Sequence, residues 1–348
     1  MDSNSTNGKN LTSMTSLQAL SMGLYRTSRS KRIILFAWFI NVMLTLFVVL
    51  PMFNQLNTSI RETVKEEELV QHMDENWYRT FKFDTQNSEI AQLLDTSIFG
   101  AGPFLHHFDG MLQGKVVVAA GNLLYDLLTT FRLRTSSLDI LTLLALLSML
   151  INTYLAGGFI SAYAGDYPVR ISEFLMDGAR YFGRFFRISL IAFLGYYLLF
   201  SVVVSTINDF IGMLTFSESS EWIPFLYYQI KHVLVLIALG LMMMCVDYAR
   251  IRLVLEDRYS AVGALGAGIK FVFGHFFKAA LLYFMLCLTG LLLILACVFI
   301  EKIFPQTNFW TIFAVFVLQQ LYTIGRMWVH AGFFASQTVF FQKMPKRM

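Results

Sequence analysis

The sequence predicts an all-α fold, a polytopic transmembrane helical bundle of six spans, and three observations predict it. Hydrophobic residues make up 56% of the 348 residues and charged residues 14%, where soluble domains carry about a quarter charged. The apolar residues gather in uninterrupted runs of roughly twenty, the length at which a helix rising about 1.5 Å per residue crosses a hydrocarbon core of about 30 Å. Lys and Arg collect in alternate short connections, as positive-inside topology requires.

Residues 1–32 are rich in Ser, Thr and Asn and end in the basic cluster Arg26, Arg29, Lys31 and Arg32. A polar stretch of this kind reads as a disordered cytoplasmic tail. Residues 33–53 form the first span. A cleaved signal would have a shorter apolar core and a small-residue cleavage site, so this run reads as a retained anchor. Residues 54–137 are polar enough to be soluble but thin in hydrophobic content for an independent core. They are expected to face outward and to pack on the membrane or on an envelope protein partner. Five further spans are expected at 138–163, 188–207, 224–246, 279–300 and 309–335, within a bundle covering 138–335, with 336–348 as a second cytoplasmic tail.

The side follows from the loops. The connection 165–187 carries Arg170, Arg180, Arg184 and Arg187, and 247–278 carries Arg250, Arg252, Arg258, Lys270 and Lys278. The connection 208–223 has no Lys or Arg, only Asp209, Glu218 and Glu221. Both termini are therefore expected in the cytoplasm.

The two basic loops share a motif. FGRFFR (182–187) returns as FGHFFK (273–278), ninety-one positions later (273 − 182 = 91). From Ile171 the apolar residues follow one helical stripe, with Glu173 and Asp177 early and the arginines late on another. The order suits the helix dipole, and Ser172 is placed to cap it. The second loop repeats the plan from Ser260. Two cytoplasmic interfacial amphipathic helices result, each turning outward into a span at its motif. Arg180, Arg184, Arg187, Lys270, His275 and Lys278 would face anionic lipid headgroups. Because each copy contains two spans and both run the same way, the repeat is parallel.

Polar groups at membrane depth are the candidates for chemistry. Asp247 and Arg326 are placed to form an interhelical ion pair fixing two spans. Asn152, Gln319 and Gln320 are placed for interhelical hydrogen bonds, and Gly157 with Gly158 to loosen the second span. In the outward segment, His106, His107 and Asp109, with His72 and Asp74, match no metal-ligand spacing. Asn57 fits a glycosylation sequon. Cys245, Cys287 and Cys297 fall in apolar runs with no CxxC pair. The sequence carries no phosphate-binding loop, nucleophile elbow or dinucleotide fingerprint, so no catalytic residue, metal or cofactor is assigned, and no nucleic-acid partner is expected.

Through GGFISAYAGDYPVRISEFLMDGARYFGRFFRI the chain resembles a group of uncharacterised bacterial polytopic membrane proteins, in layout over about residues 30–340. More distantly, DYARIRLVLEDRYSAVGALGAGIKFVFGHFFKAAL is similar to the membrane domain attached to some glycerophosphodiester phosphodiesterases. Neither resemblance rests on a catalytic motif, and no stretch is long enough for the phosphodiesterase barrel of about 250 residues. What the resemblance implies is a location in the bacterial cytoplasmic (inner) membrane. The leading expectation is a non-catalytic protein that organises the membrane or envelope. The alternatives are a transporter or permease subunit with a pathway between the repeats, and a membrane enzyme acting on lipid.

Overall fold

The computed structural model describes residues 14–61, 79–80, 83, 137–165, 169–257, 260–304 and 308–344. Among these every regular element is helical: α1 (Ser16–Arg29), α2 (Lys31–Arg61), α3 (Ser137–Ala164), α4 (Ile171–Leu198), a π-helical turn (Leu199–Val204), α5 (Ser205–Thr215), α6 (Trp222–Leu255), α7 (Ala261–Gly274), α8 (Phe276–Glu301) and α9 (Phe309–Lys343). Among the described residues four stretches are long and apolar enough to cross a membrane: Ile171–Thr215, α6, α8 and α9. A fifth arises if α1 and Lys31–Phe47, which meet at 75°, count as one broken span. The fold is that of a multi-pass helical membrane protein. The expected second span coincides with α3, and nearly all of the expected outward segment, with its histidines, lies outside the described residues.

Several expectations are corrected. The tail assigned to 1–32 contains a capped helix. Thr15 accepts from the Gln18 backbone N–H, the Gln18 side chain returns the bond to the Thr15 backbone, and α1 follows. The tail assigned to 336–348 is largely core, because α9 runs to Lys343 and Ser336, Gln337, Thr338, Val339 and Phe340 are at most 1% exposed. Phe340 is the physical reason, since fully burying one such ring is worth about 1.5–3 kcal/mol. In the first basic loop the helix does not turn at FGRFFR. It continues over 45 residues to Thr215, through the π-helical turn at Leu199–Val204, about 67 Å of rise and more than twice a hydrocarbon core. Only FGHFFK interrupts a helix: His275, at φ −130° and ψ 30°, ends α7 with its N–H on Phe271 O (3.1 Å) and opens α8. The start of α4 is also placed differently, at Arg170 with Glu173 Oε2 accepting from the Arg170 N–H at 3.1 Å, rather than at Ser172.

The core sits at one end of the bundle. There the last turns of α3, α6 and α9 meet as a central trio: Phe159 stacks on Phe334 at 6.2 Å, Tyr248 lies 6.3 Å from Phe340, and Gln342 Nε2 donates to the Ala164 carbonyl at 2.8 Å. One helix packs outside each member, α4 on α3, α7 on α6 and α1 on α9. Gly157 and Gly158 are part of this packing, not a loosened span end. A Cβ on Gly158 would lie 2.7 Å from the Phe174 carbonyl oxygen, and one on Gly178 would lie 3.0 Å from that of Tyr154. That closeness lets the Tyr154 hydroxyl donate to the Leu175 carbonyl at 2.5 Å. Away from this end the helices separate, and only 17–22% of each spanning window is buried within the chain. In lipid such apolar faces need no protein cover, since acyl chains are as apolar as Leu.

Candidate functional site

The polar groups of the packed end fall into two clusters. The first is a knot between α4, α6 and α9. One turn apart on α6, Asp247 and Arg250 face each other at 3.9 Å, each side chain 18% exposed. Arg250 Nη2 donates to Ser189 Oγ on α4 at 2.9 Å, with its guanidinium 5.9 Å from the Phe185 ring. Gln337 Nε2 on α9 donates to Asp247 Oδ2 at 3.4 Å. The ions are too far apart for a direct hydrogen bond, and the guanidinium's short bond goes to a neutral hydroxyl. Against a desolvation cost of several kcal/mol per ion, such a pair adds little net stability. Its effect is to set three helices in register. Close by, the Tyr248 hydroxyl, Arg250 Nε, Gln337 Oε1 and the Thr338 hydroxyl are buried without a protein partner among the described residues.

The second cluster is a clamp at the end of α6. Arg184 Nη1 and Arg180 Nη2 of α4 reach the two carboxylate oxygens of Asp257 at 2.6 and 3.1 Å. The Arg184 hydrogen bond, aided by Arg180, holds the Asp257 carboxyl below the usual carboxylate range. Asp257 follows the last turn of α6 at φ 45°, a left-handed backbone that Asp tolerates better than most residues. The turn that ends the helix thus aims the carboxylate at α4.

These contacts revise the expected site. Asp247 pairs with Arg250 on its own helix and not with Arg326, which is exposed. Asn152 donates to Ser148 of its own helix (2.9 and 3.2 Å) and among the described residues bridges no second helix. Gln319 does join two helices, donating to Glu301 Oε1 at 3.3 Å, while Gln320 is half-buried. Among the residues expected to face headgroups, Arg187 and Lys270 are exposed. Arg184, 12% exposed, turns inward to Asp257, His275 is the hinge before α8, and the Lys278 carbonyl accepts from Ser16 Oγ at 2.8 Å.

Sequence reading did not single out Arg250, Ser189 and Gln337 as the groups around Asp247, or Asp257 as the anchor of the clamp; Ser189 and Gln337 come from other helices. It also missed Lys231, 4% exposed within α6, which donates to Asn208 Oδ1 at 2.9 Å and lies 4.8 Å from the Tyr228 ring. A lysine inside an apolar run was a signal available in the sequence. No protein-family model, curated protein or solved structure matches this chain.

Proposed function

We propose that the chain is a non-catalytic integral membrane protein that organises the bacterial cytoplasmic membrane or the envelope attached to it. It crosses the bilayer six times, with both termini and the packed helical end in the cytoplasm. One observation carries this reading. The charged groups inside the packed end are spent on fixing helices to one another, while Arg29, Lys31, Arg32, Arg187 and Lys270 are exposed around it. Helix α7 lies along the interface, where each basic residue near an anionic leaflet contributes about 1 kcal/mol, and the stretch 171–187 carries its spanning helix on beyond the leaflet. The outward segment 54–137 engages an envelope protein partner. The experiment is purification in native lipid, followed by identification of retained lipids and proteins and by solute flux in liposomes. Retention of anionic lipid with a protein partner and no flux is expected; flux with neither retained overturns the reading.

The buried polar atoms of the knot favour transport as the second reading, with Asp247 and Arg250 on the pathway. On that reading Asp247→Asn abolishes flux while the purified protein stays folded.

A further inference from the structure

The three outer helices of the packed end are built alike, although the sequence motif marks only two of them. Each crosses its central helix at a buried glycine: Gly23 in α1, Gly178 in α4 and Gly268 in α7. In each, the N-cap stands eight residues before that glycine, at Thr15, Arg170 and Ser260 (23 − 15 = 178 − 170 = 268 − 260 = 8). Four residues before the glycine is a fully or almost fully buried side chain, Ala19 (0%), Phe174 (0%) and Ala264 (2%). Nine or ten residues after it comes a basic residue, Arg32, Arg187 or Lys278, followed at once by a buried apolar one, Ile33, Ile188 or Ala279.

The central helices keep a stricter register. A Cβ on each glycine would strike Ser336, Tyr154 or Cys245 respectively, and these stand one constant interval apart (245 − 154 = 91, 336 − 245 = 91). Each outer helix then reaches the end of the next central helix. Arg26 of α1 donates to the Tyr163 carbonyl of α3 at 2.8 Å. The arginines of α4 hold Asp257 beyond α6, and Phe271 of α7 lies 4.7 Å from Phe341 of α9.

We infer that the chain contains three copies of one unit, the third assembled from its two ends, with α9 as the inward span and α1–α2 as the interfacial helix and outward span. Accordingly α1 is an arm on the anionic membrane surface, as α7 is; this last step rests on the function proposed above. The surface of α1 fits it. Leu17 and Tyr25 are 61% and 63% exposed, and Arg29, Lys31 and Arg32 are exposed where the chain bends by 75° into α2. Apolar side chains beside a basic cluster at the foot of a span suit the headgroup boundary of an anionic leaflet. On α7 the same role falls to Val262 (73% exposed), whereas Met176 (68%) sits on the helix that does not bend, about 18 Å of rise before Ile188.

The test is depth measurement in the full chain. Single cysteines Leu17→Cys, Met176→Cys and Val262→Cys, in a background with Cys245, Cys287 and Cys297 changed to Ala, carry a nitroxide label in phosphatidylcholine vesicles containing phosphatidylglycerol. Oxygen and a water-soluble nickel chelate then report how deep each label sits. The inference expects the Leu17 and Val262 labels at the headgroup boundary and the Met176 label in water. It also expects Arg29→Gln, Lys31→Gln and Arg32→Gln together to shift the Leu17 label toward the nickel chelate. A Val262 label at the boundary with Leu17 in water overturns the inference and leaves the proposed function standing. All three in water overturn both. Tyr25→Cys reads the same arm if Leu17→Cys does not purify.

Discussion

A methyl group added at Gly158 would lie 2.7 Å from the carbonyl oxygen of Phe174, whereas one added at Gly183, inside FGRFFR, meets nothing within 4 Å. Two glycines on packed helices therefore have opposite expectations. Gly158→Ala forces α3 and α4 apart and lowers stability by about 1–3 kcal/mol. Gly183→Ala only relieves the helix of a poor helix former and raises stability by up to about 1 kcal/mol. Thermal unfolding in detergent checks both. The knot divides in the same way. Asp247→Ala leaves Arg250 buried beside Ser189 without its carboxylate and costs about 3–5 kcal/mol. Arg326→Ala, on an exposed side chain, stays within about 0.5 kcal/mol of the parent. Equal losses from the two variants would restore the pair expected from sequence.

Between elements, the Asp257 clamp makes the α4–α6 contact sensitive to pH. Arg184 and Arg180 depress the carboxyl in the folded protein. Its contribution is therefore complete above the unfolded Asp value of about 3.9 and is lost as pH falls through the lower folded value. The unfolding midpoint is expected to drop across that window in the parent, and Asp257→Asn is expected to flatten that part of the drop. Of the elements, the apolar spans were legible because nothing but membrane depth explains runs of about twenty residues with at most one charge. Helix α1 was not. Its buried stripe of Ser16, Ala19, Gly23 and Thr27 is made of small residues, and at Gly23 α9 comes too close for anything larger. The Thr15 to Gln18 capping box was the readable sign of it. The last turns of α9 were misread for a similar reason, since Ser336, Gln337 and Thr338 look like tail residues until the central trio encloses them. Asp247 was singled out from its depth alone. Its hydrogen-bond partner Gln337 was out of reach because it comes from another helix, 90 residues on (337 − 247 = 90), whereas Arg250 stands one turn away on the same helix.

For the whole molecule, on the proposed three-unit reading, FGRFFR and FGHFFK are two visible points of a longer period. The same interval that separates them joins Tyr154 to Cys245 and Cys245 to Ser336 along the central helices. The two motif copies nevertheless behave differently. One lies in an unbroken helix and the other holds the hinge at His275, so the repeat specifies a packing register and not a turn. The account turns on this packed, basic end facing the cytoplasm, because its arms meet an anionic leaflet only there. Reporter fusions after residues 110, 167, 218, 259 and 348 test that directly. The account predicts outside, inside, outside, inside and inside; fusions at 167 and 259 that report from outside would contradict it.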